Sequence, residues 1–292
     1  MTTAPGSIHA PAVFDLSSLT EADIGAMSYN DLIGLVRETN RFPGGRRSVH
    51  LIASRLMLNR QSRVLEIGCA TGSTSIELSR LVGCRPTAID INPRSIAEAQ
   101  YRAATVGADV AFMVADATEV PLPDASFDAV ICGNVTALVA DKSAIVAEYR
   151  RLLRDGGVLV AAPMYYVRQP PDDLVERVRA AIQVDIPVLY RHDALEFFLT
   201  LGFETYDLLD FEFDDVAQQN VDQVCRDVLG RAHLHSLPAG SKRALDRIYS
   251  DYMTLFRENM ATLGFTVLFL RKTRFIEDSE LFTAHPVRRA PP

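Results

Sequence analysis

Three acidic residues lie where short apolar runs end, and they are the residues with the clearest chemistry in the chain. Glu66 lies in the first run, Asp90 ends the second and Asp116 follows the third. A carboxylate at the first position repels phosphate but favours an ammonium or sulfonium group. Acids at the second position of doubly wound sheets accept hydrogen bonds from a ribose diol, and the third could accept from an adenine amino group. Together they indicate a nucleoside that carries positive charge.

Each of these acids also has a simpler structural interpretation. Glu66 or Asp90 could cap the helix that follows it, because short acidic side chains accept from helix N-terminal amides. Asp116 could be an ordinary turn aspartate. The residues alone leave both interpretations open.

The turn after the first run is rich in small residues, with Gly68, Ala70 and Gly72 spaced two apart and Ser73 next. Glycines at a strand-to-helix turn let the backbone approach a ligand and expose amides at the helix N-terminus. A dinucleotide-binding turn would require glycine at all three positions of G-x-G-x-x-G. Alanine and serine occupy the second and third of these positions, so a nicotinamide-dependent oxidoreductase is disfavoured.

These residues must be positioned by alternating strands and helices. Strand-like apolar runs alternate with helical patterns at short intervals, which favours a mostly parallel sheet covered by helices on both faces. A last apolar run, 264–271, predicts one more strand after two further helices. The predicted strands of the central part are Val64–Ile67, Pro86–Asp90, Val110–Val114, Phe127–Cys132 and Val158–Ala162.

Composition narrows the classes of partner. The 292 residues contain 30 Lys+Arg and 37 Asp+Glu, a formal charge of −7, which argues against a nucleic-acid partner because phosphate backbones attract cationic faces. No apolar run approaches the roughly 20 residues of a membrane-spanning helix, and residues 1–14 lack the features of a secretory signal. The four cysteines form no C-x-x-C pair, so we predict no metal site and a cytoplasmic protein.

The motifs resemble those of class I S-adenosylmethionine-dependent methyltransferases, most closely the small-molecule branch of quinone-biosynthesis and natural-product enzymes. The resemblance covers roughly residues 60–165 and rests on 66–72, Asp90, Asp116-Ala117, 122–128 and 152–157. It implies a Rossmann-like fold, a doubly wound, mostly parallel seven-stranded sheet with a helical lid. It also implies S-adenosyl-L-methionine as cofactor, bound by Glu66, Gly68, Ala70, Gly72, Asp90, Ile91, Asp116, Ala117 and Asn134. Ala70 departs from the family pattern, which most often has glycine there.

The resemblance further implies four segments. Residues 1–58 are expected to form an N-terminal helical lid segment, 59–213 the cofactor-binding α/β core, 214–263 a helical insertion over the substrate pocket, and 264–292 the last strand and a flexible tail. We expect a protein that lacks the first 40 residues to lose much more of its turnover than of the stability of its folded core. Arginines of the lid, or the Gly44-Gly45 amides, could bind the methionine carboxylate; the arginines are Arg37, Arg41, Arg46 and Arg47.

Methyl transfer needs an acceptor held opposite the sulfur, exclusion of water and, where required, a base. The candidates at the methyl group are Asn134, which follows the fourth strand, with Tyr29 and His50 from the lid segment. The rings expected to wall the acceptor pocket are Tyr165, Tyr166, Tyr249, Tyr252 and Phe256. They favour a small acceptor that is apolar or partly aromatic.

The sequence therefore predicts a methyltransferase that acts on a small, partly apolar metabolite by in-line displacement. A binding protein that retains the cofactor but lacks turnover, acting as a sensor or partner subunit, is the alternative. A protein substrate and a homodimer are also left open. The turn after the fourth strand reads Gly133-Asn-Val-Thr136 rather than Asn-Pro-Pro-Tyr, and oxygen, nitrogen and carbon acceptors all remain allowed.

Overall fold

The computed structural model describes residues 16–39 and 42–274, and a single sheet runs through the middle of this part. The eight strands are β1 Val64–Ile67, β2 Thr87–Asp90, β3 Ala111–Val114, β4 Phe127–Cys132, β5 Leu153–Ala161, β6 Met164–Tyr166, β7 Glu204–Glu212 and β8 Leu263–Arg271. The first four strands are short; β1 is buried along its whole length and β4 along nearly all of it, whereas β3 at the sheet edge is only half-buried.

The five strands β3, β2, β1, β4 and β5 are parallel neighbours in that order, and β8 pairs antiparallel with β5, β6 and β7. The described residues thus contain eight strands rather than the predicted seven. The additional strand β6 continues along β8 where β5 ends, and Pro163 lies in the break between them. Proline has no amide to donate to the ladder, and β6 begins just after it, beyond the predicted fifth strand Val158–Ala162.

Helices cover both faces of the sheet. Leu65 and Ile67 of β1 face one core with the helices that carry Tyr149 and Leu195, whereas Val64 faces another with Ile52. This alternation follows from the two-residue period of a strand. The helices are α1 Glu21–Gly25, α2 Tyr29–Leu35, α3 Gly45–Arg55, α4 Ser73–Val82, α5 Pro93–Val106, α6 Lys142–Leu152, α7 Asp172–Ile182, α8 Arg191–Leu199, α9 Gln218–Leu229 and α10 Ala239–Met260.

Four helices share a second hydrophobic cluster, and we call them the cap: α1, α2, α9 and α10. Ile24 and Leu32 from the N-terminal helices share one buried cluster with Val228, Leu245 and Tyr249 of the late insertion. The two halves of this cluster are far apart in the chain, since β1 to β7 and their helices lie between them in the sequence. The N-terminal segment and the insertion are therefore one unit rather than two separate lids.

The predicted lid segment 1–58 is divided by the structure. Residues 16–36 belong to the cap, but α3 packs on the sheet through Val49 and Ile52, in one cluster with Val160. Helix α3 is therefore part of the α/β core, because its apolar stripe covers the sheet. Among the described helices, none combines the length and apolarity that crossing a membrane requires.

Candidate functional site

The turn between β1 and α4 is held in left-handed backbone conformations at alternate residues. Gly68, Ala70 and Gly72 have φ angles of 72°, 44° and 78°. The amides of Gly68 and Cys69 both donate to the carbonyl oxygen of Ile89 on β2, at 2.8 and 2.9 Å. The turn is thus tied to the neighbouring strand, and Ala70 adopts a conformation that favours glycine.

Packing explains why two of these positions hold glycine. A Cβ atom on Gly68 would lie 2.2 Å from the side chain of Val135, and one on Gly72 would lie 2.8 Å from the ring of Phe112 and 2.9 Å from Cβ of Ala99. The absent side chain of Gly72 therefore faces the protein interior. A side chain at Gly72 would therefore clash with β3 and α5, and it would also have to adopt the left-handed φ of 78°.

Glu66 is buried and caps α4. Its Oε2 accepts from the amide of Ser75 at 3.0 Å and from the Ser75 hydroxyl at 2.5 Å. Burial raises the pKa of this carboxyl group to about 7, and the neighbouring charge of Asp90 acts in the same direction. The capping interpretation of Glu66 is confirmed, and the residue fixes the helix that begins at the turn.

Asp90 anchors the same turn from β2. Its Oδ2 accepts from the Ala70 amide at 2.8 Å, and its Oδ1 accepts from the Asn92 amide at 2.9 Å. Each carboxylate oxygen can accept more than one hydrogen bond. The two bonds therefore orient the carboxylate and leave it able to accept from a ligand. Ile91, next in the chain, is 69% exposed and offers an apolar surface beside the carboxylate.

Asp116 is exposed in the turn after β3, where Ala117 is half-buried. Its Oδ1 accepts from the amide and hydroxyl of Thr118, at 2.8 and 2.7 Å, and these bonds lower its pKa. The turn-aspartate interpretation is confirmed by this Asx-type geometry. The carboxylate stays ionised at neutral pH, so it can still accept from a ligand.

Asn134 begins the turn after β4 and links it to β6. Its Oδ1 accepts from the amide of Met164 at 3.2 Å. Two residues that sequence reasoning missed hold this turn: Nζ of Lys142 donates to carbonyl oxygens of Thr136 and Val139, and the hydroxyl of fully buried Tyr149 lies 2.7 Å from that of Thr136. No local motif marks either residue.

These residues fit a nucleoside with a positive centre. The carboxyl ends of β1, β2 and β3 place three carboxyl groups along one edge of the sheet, where doubly wound folds bind ligands. Left-handed turns at Gly68 and Gly72 bring backbone rather than side chains to that edge. Within the described residues no group of three or more metal-ligating side chains occurs.

The structure separates the predicted residues of the lid segment. Tyr29 lies in the cap, its ring 5.5 Å from that of Tyr252 and 5.0 Å from that of Phe256. Its pKa is raised, chiefly by burial. His50, by contrast, is exposed on α3 and hydrogen-bonds Glu77 of α4 at 2.8 Å. The structure therefore does not bring His50 to the strand-end residues.

The four arginines have different surroundings. Arg37 pairs with Glu98 at 3.4 Å and Arg46 with Glu77 at 2.9 Å. Arg47 lies on the wall of a groove, whereas Arg41 lies outside the described residues. Arg37 and Arg46 thus have carboxylate partners within the protein.

Tyr165 and Tyr166 line that groove, a cavity of about 1230 Å³ beyond the end of β6. The Tyr165 hydroxyl lies 3.0 Å from that of Thr266 and donates to Oδ1 of Asp210 at 3.3 Å. Arg191 donates to the same carboxylate at 3.0 Å. Burial acts to raise the pKa of Asp210, but Arg191 and the hydrogen bonds outweigh it and lower that pKa. The remaining wall includes Gly44, Ser48, Tyr190, His192, Phe211, Glu212, Phe213 and Phe265.

The three predicted pocket residues of α10 lie elsewhere. Tyr249 is fully buried in the cap and donates to Oε2 of Glu38 at 2.7 Å, so it does not wall a cavity. Tyr252 and Phe256 are half-buried and stack on each other at 6.2 Å. The expected five-ring pocket is thus divided between the groove and the cap, because α10 turns its aromatic stripe toward α2.

Residues 64–157 match the family model described as a methyltransferase domain. The chain is 25% identical over 231 residues to O-methyltransferase resE of Aspergillus sclerotiorum, covering 77% of this chain and 85% of that protein. It is 33% identical over 132 residues to 27-O-demethylrifamycin SV methyltransferase of Amycolatopsis mediterranei, covering 44% of this chain and 48% of that protein.

The fold also resembles a solved structure. The crystal structure of MccD protein superimposes with a TM-score of 0.67 at 20% identity, covering 80% of this chain and 100% of that one. At this identity the likeness shows the fold alone.

Proposed function

We propose that this chain, which belongs to the class I S-adenosylmethionine-dependent methyltransferases, methylates a small, partly apolar metabolite at a hydroxyl group. S-adenosyl-L-methionine is its cofactor, and when bound it supplies a methyl group already activated by a sulfonium. The observation that carries the proposal is the Asp90 carboxylate bonded to the Ala70 amide, inside the matched domain. This hydrogen bond holds the Asp90 carboxylate against the turn that is proposed to approach the cofactor.

We assign roles to the strand-end residues on this basis. Asp90 accepts from the ribose hydroxyls. Asp116 accepts from the adenine amino group, and Ala117 and Ile91 contact the adenine ring. The turn from Gly68 to Gly72 borders the methionine part, with Glu66 holding the helix behind it. Asn134 lies beside the methyl-transfer site. These assignments rest on the strand ends that carry the residues.

The groove beside Tyr165 and Tyr166 is our proposed acceptor site. The strands β5 and β7 both run antiparallel to β8, so their carboxyl ends lie at the same edge of the sheet as those of β1 to β4. The cavity of about 1230 Å³ is ample for a small molecule. The stacked rings of Phe211 and Phe265, with centroids 5.1 Å apart, supply an apolar surface.

The polar groups of the groove favour a hydroxylated acceptor. Arg191 and Asp210 neutralise each other, with Nη2 and Oδ2 2.9 Å apart. The wall therefore offers donors and acceptors together, which a hydroxyl group can satisfy because it both donates and accepts. The similarity to proteins named O-methyltransferases supports the same choice.

Cofactor binding is tested first, by thermal shift with S-adenosylmethionine, S-adenosylhomocysteine and NAD. We expect the first two to raise the melting temperature and NAD to leave it unchanged. Stabilisation by NAD alone would contradict the family assignment. Stabilisation by the first two without transfer to any acceptor tested would favour the sensor alternative.

The acceptor site is tested by transfer of label from S-adenosylmethionine to a panel of small hydroxylated aromatic compounds. Arg191→Gln should raise KM for an acceptor that is turned over and leave cofactor affinity unchanged. Arg177→Gln is the matched control, since Arg177 is also ion-paired, to Asp173 and Glu258, but lies outside the groove lining. Equal effects of the two variants would remove the groove from the proposal. The homodimer and the absence of a nucleic-acid partner stay predictions.

A further inference from the structure

Glu38 joins the cap to the cofactor-binding turn through two different parts of the same residue. Its carbonyl oxygen accepts from the hydroxyl of Thr71, which lies between Ala70 and Gly72, at 2.9 Å. Its carboxylate Oε2 accepts from the Tyr249 hydroxyl on α10 at 2.7 Å. One residue of the N-terminal segment thus contacts both the cap and the turn.

Arg102 of α5 strengthens the core side of this bridge. Its guanidinium donates to the Thr71 hydroxyl oxygen at 2.9 Å and to the Thr39 hydroxyl at 3.0 Å. The turn, helix α5 and residues 38–39 are therefore held together as one polar cluster. A guanidinium suits this task because its planar fork donates in several directions.

Burial makes the bridge hard to replace by water. Thr71 is 1% exposed and Tyr249 is fully buried, so the two donor side chains are shielded from water, while Glu38 itself is half-buried. Hydrogen bonds in such surroundings are stronger, and a partner left unsatisfied there is costly. The cap and the turn cannot move apart without breaking these bonds.

We infer that Glu38 is a positioning residue that couples the cap to cofactor binding, so that the Tyr249 hydroxyl contributes to cofactor affinity from inside the cap. The inference rests on the proposed function only in taking S-adenosylmethionine as the ligand of the turn. Coupling between two sites is reciprocal. Cofactor binding must therefore also stabilise α10 against local opening.

The test is calorimetric titration of S-adenosylhomocysteine into the full chain. Tyr249→Phe removes only the hydroxyl and should weaken binding at least about threefold, since a bond to a charged group is lost. Ser241→Ala is the matched control: the buried Ser241 hydroxyl of α10 donates to the Leu19 carbonyl oxygen at 2.6 Å, a bond that joins the two halves of the cap without involving Glu38. It should loosen α10 but leave affinity unchanged.

A double-mutant cycle separates coupling from general destabilisation. Thr71→Val and Tyr249→Phe should be non-additive in S-adenosylhomocysteine affinity, because both act through Glu38. Hydrogen exchange gives a second measurement: the ligand should slow amide exchange around Tyr249 in the parent protein and much less in Tyr249→Phe. Glu38→Gln keeps an oxygen acceptor for the Tyr249 hydroxyl, so this variant should retain part of the ligand protection around Tyr249.

Three results would overturn the inference. Equal affinity losses in Tyr249→Phe and Ser241→Ala would make the bond merely structural. Additive effects in the cycle, or ligand protection of α10 that survives in Tyr249→Phe, would show that Glu38 does not couple the cap to cofactor binding. If the parent protein binds no S-adenosylhomocysteine, the cofactor assignment fails as well. That outcome can be told from failure of the coupling alone, because neither the parent protein nor any variant then gives a binding signal.

Discussion

The strand-end site and the cap are built in opposite ways. At the strand ends, Glu66 caps the helix that begins just after the turn, and Asp90 fixes that turn from the next strand along the chain. In the cap, Leu32 packs with Leu245, and Glu38 bonds Tyr249 near the other end of the chain. The first region is specified by local sequence, whereas the second exists only after distant segments meet. The two regions should therefore respond differently to substitution.

The largest effect is expected at Gly72. A Cβ atom there meets the Phe112 ring at 2.8 Å, and the φ of 78° disfavours any side chain. Gly72→Ala should lower the free energy of unfolding by about 2–5 kcal/mol and abolish cofactor binding, combining overpacking with backbone strain. Chemical denaturation and calorimetry measure the two effects.

Gly107→Ala separates the two causes. Gly107 has a φ of 66° but no atom within 4 Å of an added Cβ atom, so the variant incurs backbone strain alone. It should cost about 1–2 kcal/mol and spare cofactor binding. Equal losses at Gly72 and Gly107 would show that packing against β3 does not fix the turn.

The next effect concerns pH. Burial raises the pKa of Glu66 from 4.5 to about 7 in the folded protein. The folded state then holds a proton that the unfolded state has released between these values, so stability falls as pH rises from about 5 through 7. The loss amounts to at most roughly 3 kcal/mol across this window. Glu66→Gln, which keeps an oxygen for Ser75, should remove the slope in urea denaturation. A slope that persists unchanged in the variant would assign it to other groups.

Asp90→Ala comes third and acts on binding more than on folding. Loss of charged hydrogen bonds should weaken S-adenosylmethionine binding by about 1.5–3 kcal/mol, measured by calorimetry. Asp109→Ala is the control, because Asp109 is an exposed aspartate paired with Arg85 at 3.0 Å. Unchanged affinity in a folded Asp90→Ala protein would remove this residue from the site.

The strand-end region could be predicted from the sequence because its determinants are close together. The cap at Asn92 depends on a residue three positions away and the cap at Glu66 on a residue nine positions away, and glycine or alanine at alternate positions marks the turn itself. Even there, sequence could not show that Gly72 faces Phe112, since that contact joins the turn after β1 to a ring on β3.

The cap could not be predicted as one body for the same physical reason. An aromatic stripe on α10 shows that one face is buried, but not which helix covers it. Helices α1 and α9 cover it, together with Tyr29 of α2, and they place Tyr249 inside the cap rather than on a pocket wall. Truncation up to position 40 would expose the apolar core of the insertion, so our expectation that this change mainly costs turnover no longer follows from the packing.

The smallest effect tests the departure at Ala70. Alanine is held there at a φ of 44°, a region that costs an L-residue about 1 kcal/mol and glycine nothing. Ala70→Gly relieves this strain but gives the unfolded chain more freedom, so the net gain in stability should stay below about 1 kcal/mol. The Ala70 amide still donates to Asp90 in the variant, because the donor belongs to the backbone. Cofactor affinity should therefore change less than twofold, measured by calorimetry beside thermal unfolding. A large loss of affinity would mean that the methyl group itself contacts the ligand, and the strand-end site would then depend on side chains as the cap does.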